Sequence, residues 1–282
     1  MNDEDTTVNL AKVPWLFFIL TYSFSWLFWI PIALSGKKVA LPLIAIGAFS
    51  PSLFGILMTH LTTDKVNRHD FWRRVISFRL IRIRWYIVIV LLFPLIMTTT
   101  FLLETLLGGA LPPLEGAIQT LTQPIPLLVF IITMLIGGPL IEELGWRGFA
   151  LDRLQNKSNA LLSSLILGII HATWHLPLFF IKGTPQGAMG FATFLFWLWV
   201  IQVVSGSILY TWVYNNNNRS TLSAILVHFM SNSTFTIITQ LGNVLPLKTE
   251  IIRTAIYVVV ALIVVFVWGP ETMNMKCVPN TK

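Results

Sequence analysis

Eight runs of about 20 mainly apolar residues dominate the chain, near 13–35, 40–60, 85–107, 125–147, 160–181, 191–213, 220–241 and 251–269. Each is long enough to cross a bilayer as a helix. A segment in hydrocarbon must satisfy its own backbone, so such a chain folds as helices packed side by side. The expected fold class is therefore all-α, a polytopic transmembrane helical bundle of about eight spans, with one membrane domain over 1–282. Composition agrees: 55% of the residues are hydrophobic and 11% are charged, against about 25% charged in an ordinary soluble protein. The start, Met1-Asn2-Asp3-Glu4-Asp5, is acidic where a secretory signal is basic, so the first span is expected to stay uncleaved.

A net charge of +7 raises the question of nucleic acid. The basic residues instead gather between Lys65 and Arg84, separating two apolar runs, which is how a cytoplasmic loop reads. Lys12, Arg147, Arg153, Lys157, Arg219, Lys276 and Lys282 fall on that side too, while Lys37, Lys38, Lys182, Lys248 and Arg253 fall on the other. The bias predicts both termini in the cytoplasm. The partner this pattern names is the lipid bilayer, not nucleic acid. Within 65–84, apolar Phe71, Val75, Ile76 and Phe78 interleave with Arg73, Arg74, Arg79 and Arg82. That reads as an amphipathic segment on the inner leaflet, or as the anchor that orients the third span. The single cysteine, Cys277, excludes an internal disulfide framework and is expected to be an inert tail thiol.

Against this background, ionisable groups within the spans are informative, because each costs about 2.5–3.5 kcal/mol at mid-bilayer even on insertion scales. Three sets stand out. Glu142, Glu143 and Arg147 lie at the inner end of span 4. Glu143 and Arg147 are four apart in the favourable order, so they share a face and can neutralise one another. Glu142 is left as the candidate general base. The alternative is an ion-pair cluster that locks helices together. His171 and His175 are four apart in span 5, just before Pro177. They share a face, although a histidine at a helix break can also donate to a freed carbonyl. His228 and Asn232, four apart in span 7, can aim two donors at one point, which suits an oxyanion.

The ordered combination of Glu-Glu-x-x-x-Arg, a histidine motif of the Phe-x-x-x-His kind and His-x-x-x-Asn, each on its own span, resembles the CPBP family of intramembrane proteases. That family includes the type II CAAX prenyl endopeptidases and the bacterial Abi proteins linked to bacteriocin processing or self-immunity. The resemblance covers about 125–240, spans 4 to 7, which it marks as the catalytic helices. Glu142, Glu143 and Arg147 match the first motif, and Trp146-Arg147-Gly148-Phe149 its continuation. Trp174-His175-Leu176-Pro177-Leu178-Phe179 resembles the bacterial form of the second, which carries the family histidine to His175. His171 stands where that motif has phenylalanine, and His228 and Asn232 match the last motif.

What the resemblance implies is an intramembrane endopeptidase that hydrolyses a membrane-associated, prenylated or leader peptide. Glu142, assisted by His175, would activate a water, His228 and Asn232 would stabilise the oxyanion, and Glu143 and Arg147 would position the site. No cofactor is expected. The alternative is a zinc ion held by His175, His228 and Glu142, although the His-Glu-x-x-His pattern of soluble zinc proteases is absent. An idle scaffold or immunity protein that sequesters a peptide would share these residues. A proton-coupled transporter would use Glu142, Glu143 and His175 as a relay, but no internal repeat is visible. The Trp-His-Leu-Pro form and modest length point to a bacterial cell membrane. Helical rise puts His228 about 13 Å above Arg219 and Glu142 about 16 Å above Arg153, but His175 about 27 Å above Lys157. For the three to meet, span 5 must start lower or tilt.

Overall fold

The computed structural model describes residues 13–36, 40–239 and 245–274, and every regular element in them is helical. The acidic start, Lys12, Lys37, Lys38 and Cys277 lie outside the described residues. Among the described residues, eight helical segments are long and apolar enough to cross a membrane, and they coincide with the eight apolar runs. The first is α1 (Val13–Ser35), and the second joins α2 (Leu41–Ala48) to α3 (Ser50–Thr62). After α4 (Lys65–Ile76), the third is α5 (Ile83–Leu106), followed by a short α6 (Glu115–Thr122).

The fourth span is broken. It runs through α7 (Pro124–Ile136), α8 (Pro139–Gly145), a π-helical turn at Trp146–Leu151 and α9 (Asp152–Gln155). The apolar run suggested an end near 147, yet the segment continues to Gln155. Arg147 does not stop it because its charge is matched inside the bundle. The break falls at Gly137-Gly138-Pro139, where a proline without an N–H opens the second piece. No residue of α7 is buried, so it faces lipid, whereas α8 buries Glu142, Glu143, Leu144 and Gly145. The remaining spans are α10 (Ala160–Trp174) with a 3-10 turn at Leu176–Phe180, then, after α11 (Pro185–Met189), α12 (Phe194–Asn216), α13 (Thr221–Thr239) and α14 (Leu247–Trp268). Polar caps start several of them: Asn159 accepts from Leu162 N ahead of α10, and Thr193 from Phe196 N ahead of α12.

Two contacts set the position of α8. A Cβ on Gly145 would lie 2.2 Å from the Pro51 carbonyl oxygen, so only glycine lets α3 and α8 approach this closely. At the basic end, α4 docks under the bundle: Phe71 and Val75 are buried against Leu144 and Ile225. Arg74, which the interleaved charge pattern suggested would face lipid headgroups, is buried. It donates to Asp152 at 2.9 Å and to the Tyr214 hydroxyl, and pairs with Asp70 at 3.0 Å. Arg74 therefore ties α4 to α9 and to α12.

Candidate active site

Glu143 has no exposed surface, so both of its oxygens need partners. Arg147 Nη1 donates to Oε1 at 2.9 Å and to Oε2 at 3.2 Å, the pair expected from their spacing. His228 Nδ1 donates to the same Oε1 at 2.8 Å, which joins α13 to the fourth span. Arg147 Nη2 also donates to Ser207 Oγ on α12 at 3.1 Å, and its guanidinium lies 4.9 Å from the Tyr210 ring centroid. Arg147 sits in the π-helical turn, a distortion often found at functional sites because it re-aims side chains.

Glu142 has a different environment. Its Oε2 accepts from His171 Nε2 at 2.9 Å, so its direct partner on α10 is His171, not His175. His175 caps α10 and donates from Nδ1 to the His171 carbonyl at 2.9 Å, the bond expected at a helix break. It remains close, for Glu142, His171 and His175 each offer an atom within 4.8 Å of the others. The C-terminal end of α10 is held by α1. Tyr22 donates to the Ile170 carbonyl and Trp26 Nε1 to the Trp174 carbonyl, while Trp174 Nε1 donates to Ser25 Oγ at 2.7 Å. Trp146 and Trp174 pack beside His171 at ring-centroid distances of 5.3 and 6.0 Å.

The free oxygen of Glu142 faces two nitrogens from α13 above Gly138. A Cβ built on that glycine would lie 3.1 Å from Asn232 Nδ2, 3.5 Å from Glu142 Oε1 and 4.0 Å from His228 Nε2. Three polar atoms thus surround a space that glycine keeps open. It belongs to a cavity of about 520 Å³, also lined by Arg147, His171 and His175. Of the six residues singled out in the sequence, Glu142, Arg147, His175, His228 and Asn232 line this cavity, and Glu143 lies behind it, bonded to Arg147 and His228. Two more join them: His171, which the sequence placed on one helical face with His175 and which stands where the motif has phenylalanine, and Gly138, whose signal was a Gly-Gly-Pro break just before the paired glutamates.

The His228 tautomer follows from its neighbours. Since Nδ1 faces a carboxylate, it carries a proton, and Nε2 is a donor only when the ring is doubly protonated. The Asn232 amide donates in any state.

The sequence pattern characteristic of type II CAAX prenyl endopeptidase Rce1-like proteins matches residues 124–234. The chain is also 24% identical over 260 residues to CAAX prenyl protease 2 of Methanococcus maripaludis, an alignment covering 89% of this chain and 93% of the relative. The matched segment 124–234 runs from the start of α7 into α13 and contains Glu142, Glu143, Arg147, His171, His175, His228 and Asn232.

Proposed function

We propose, from the match over 124–234 and the 24% identical relative, that the chain is an intramembrane protease of the CPBP family and that it hydrolyses a peptide bond by a glutamate-activated water. The observation that carries this reading is the unequal state of the two glutamates. Glu143 is saturated by Arg147 and His228, whereas Glu142 keeps one oxygen free above Gly138. A general base needs such an oxygen within reach of a water and of donors for the charge that develops.

In the proposed sequence, a water lies between Glu142 Oε1 and the scissile carbonyl carbon. Its oxygen attacks that carbon while one proton passes to Oε1. The carbonyl electrons move onto oxygen, where Asn232 Nδ2–H and the doubly protonated form of His228 stabilise the oxyanion. Collapse re-forms the carbonyl and breaks the C–N bond, and the leaving amine takes the proton from Glu142. His171 holds Glu142 through Oε2 and leaves Oε1 to do the chemistry. His175 stands behind it through the His171 carbonyl. Glu143 and Arg147 act by positioning His228. The substrate proposed is a membrane-associated peptide, lipid-modified or a leader, reached in a bacterial cell membrane with the basic end of the bundle in the cytoplasm.

Glu142, His171 and His175 also fit a metal, because two imidazoles and a carboxylate within 4.8 Å form a donor set that zinc accepts. Held there, zinc would act as a Lewis acid and make a bound water more acidic. The metal-free reading is preferred because Glu142 and His171 already satisfy one another. Purified protein is expected to keep its activity in a strong chelator; loss restored by added zinc would reverse that preference.

The reaction is tested by mass spectrometry of products after incubating wild type and Glu142→Gln with a library of membrane peptides. Fragments are expected with wild type only. Equal fragments from both, or full biological activity of Glu142→Gln in cells, would rule out hydrolysis at this site.

A further inference from the structure

The cavity opens at the end of the bundle opposite its basic belt. From Glu142, its walls continue through Gln202 on α12, Thr236 and Thr239 on α13 and Arg253 on α14. Part of the wall, at Thr133 and Gly137, is exposed beside the break in the fourth span, and the rest ends at Leu41 on α2 and at Gly183 and Pro185 in the segment between α10 and α12, all three exposed. These residues sit at one end of the bundle: where α2 begins, α13 ends, α14 begins and the chain turns back into α12. Among the described residues, none from α4, α9 or the first half of α10 lines the cavity.

The basic residues lie at the other end. Arg68, Arg73, Arg79, Arg82 and Arg84 fall in and after α4, Lys157 between α9 and α10, and Arg219 between α12 and α13. The described exposed cations at the mouth end are Lys182 and Lys248. Lysine and arginine in short loops set orientation by remaining in the cytoplasm. A belt this one-sided places the mouth on the other face.

We propose that substrate reaches Glu142 from the non-cytoplasmic side, so that the protease acts on peptide segments presented at the outer face of the membrane. This rests on the hydrolytic reading above and narrows its substrate class. An exported leader or the outer juxtamembrane segment of an anchored protein has access. A prenylated C-terminus, which is made and kept in the cytoplasm, does not.

Chemical labelling of cysteine tests the direction of the mouth without requiring turnover. In full-length protein carrying Cys277→Ser, the only native cysteine is removed, and single cysteines are placed by Lys182→Cys and Gln186→Cys at the mouth and by Arg79→Cys and Lys157→Cys at the basic end. Intact cells are treated with a membrane-impermeant maleimide, and permeabilised cells serve to measure full labelling. Positions 182 and 186 are expected to label in intact cells to nearly the permeabilised extent. Positions 79 and 157 are expected to gain at least tenfold on permeabilisation. The reverse pattern, or equal labelling of both ends in intact cells, overturns the proposal. Because labelling is independent of catalysis, either result leaves the Glu142→Gln comparison to decide the chemistry on its own.

Discussion

Glu143 holds two cationic or proton-donating partners at once, and Arg147 alone contacts both of its oxygens. Replacing Arg147 by alanine leaves a carboxylate in a dry interior with His228 as its only remaining partner. Breaking a buried pair in this way costs about 3–5 kcal/mol, so Arg147→Ala is expected to lower the thermal midpoint in detergent and to abolish cleavage. Arg147→Met with Glu143→Gln removes both charges and should recover stability but not activity; recovery of both would deny the pair any role in positioning His228. Gly138 is a more local matter. A methyl there would press on Asn232 Nδ2 at 3.1 Å and fill the space beside Glu142 Oε1. Gly138→Ala should therefore cut turnover by about 10-fold or more, on the scale of a misplaced reacting group, with the thermal midpoint little changed. A normal rate in folded protein would mean that the reacting carbonyl lies elsewhere. His171→Ala removes the hydrogen bond that holds Glu142, and turnover should fall by about 10²-fold, within the usual range for disturbed general-base catalysis. Unchanged kinetics would show that the proximity of His175 suffices.

Among the elements, α10 shows what the sequence made legible and what it did not. Its existence followed from hydropathy, and the histidine spacing put both rings on one face. The choice between them did not follow from the motif, which favours His175. The rise along the helix was the better guide: His171 is one turn closer to the basic end, about 21 Å above Lys157 against about 27 Å for His175. That turn removes much of the depth mismatch with Glu142 and His228 without a large tilt. The π turn escaped notice because no residue pattern marks it, and α4 was misjudged at Arg74 because its partners, Asp152 and Tyr214, are distant in sequence. The docking of α4 carries a pH prediction. Burial acts to raise the Asp70 carboxyl, but the hydrogen bond from Arg73 and the charges of Arg74, Arg73 and Arg219 outweigh it and hold the group below its ordinary value of 3.8. A carboxyl lowered in the folded state stabilises fully above that value and loses its contribution as pH falls through its folded-state value. Asp70→Asn should thus be less stable than wild type at neutral pH, and the difference should shrink on acidification below about 4; a constant difference across that range would remove Asp70 from the linkage.

At the scale of the whole bundle, hydropathy reveals how many helices there are but not which faces meet. Lipid tails are as apolar as leucine, so a span that is apolar all round has no stripe to mark its packed side. Polar side chains supply that address, as they do at the cavity. The same logic reaches α14, which lies outside the segment matched by the family pattern. Gln202 on α12 donates to Glu250 Oε2 at 3.0 Å and to Thr254 Oγ1 at 2.6 Å, and Glu250 pairs with Arg253 at 2.7 Å. Arg253 in turn lies 4.3 Å from the Phe235 ring centroid and lines the cavity. The network therefore fastens α14 to α12 and α13 and closes the cavity wall on that side. Glu250→Ala leaves the guanidinium buried without its carboxylate, at a cost of about 3–5 kcal/mol. The expected result is a lower thermal midpoint and a raised KM, as the wall loosens, with kcat less affected because Glu142 and its partners keep their bonds. Glu250→Gln with Arg253→Gln keeps hydrogen-bonding groups without charge and should restore the midpoint. If Glu250→Ala melts like wild type, α14 is held by apolar packing alone, and the charged network at its start has no structural work to do.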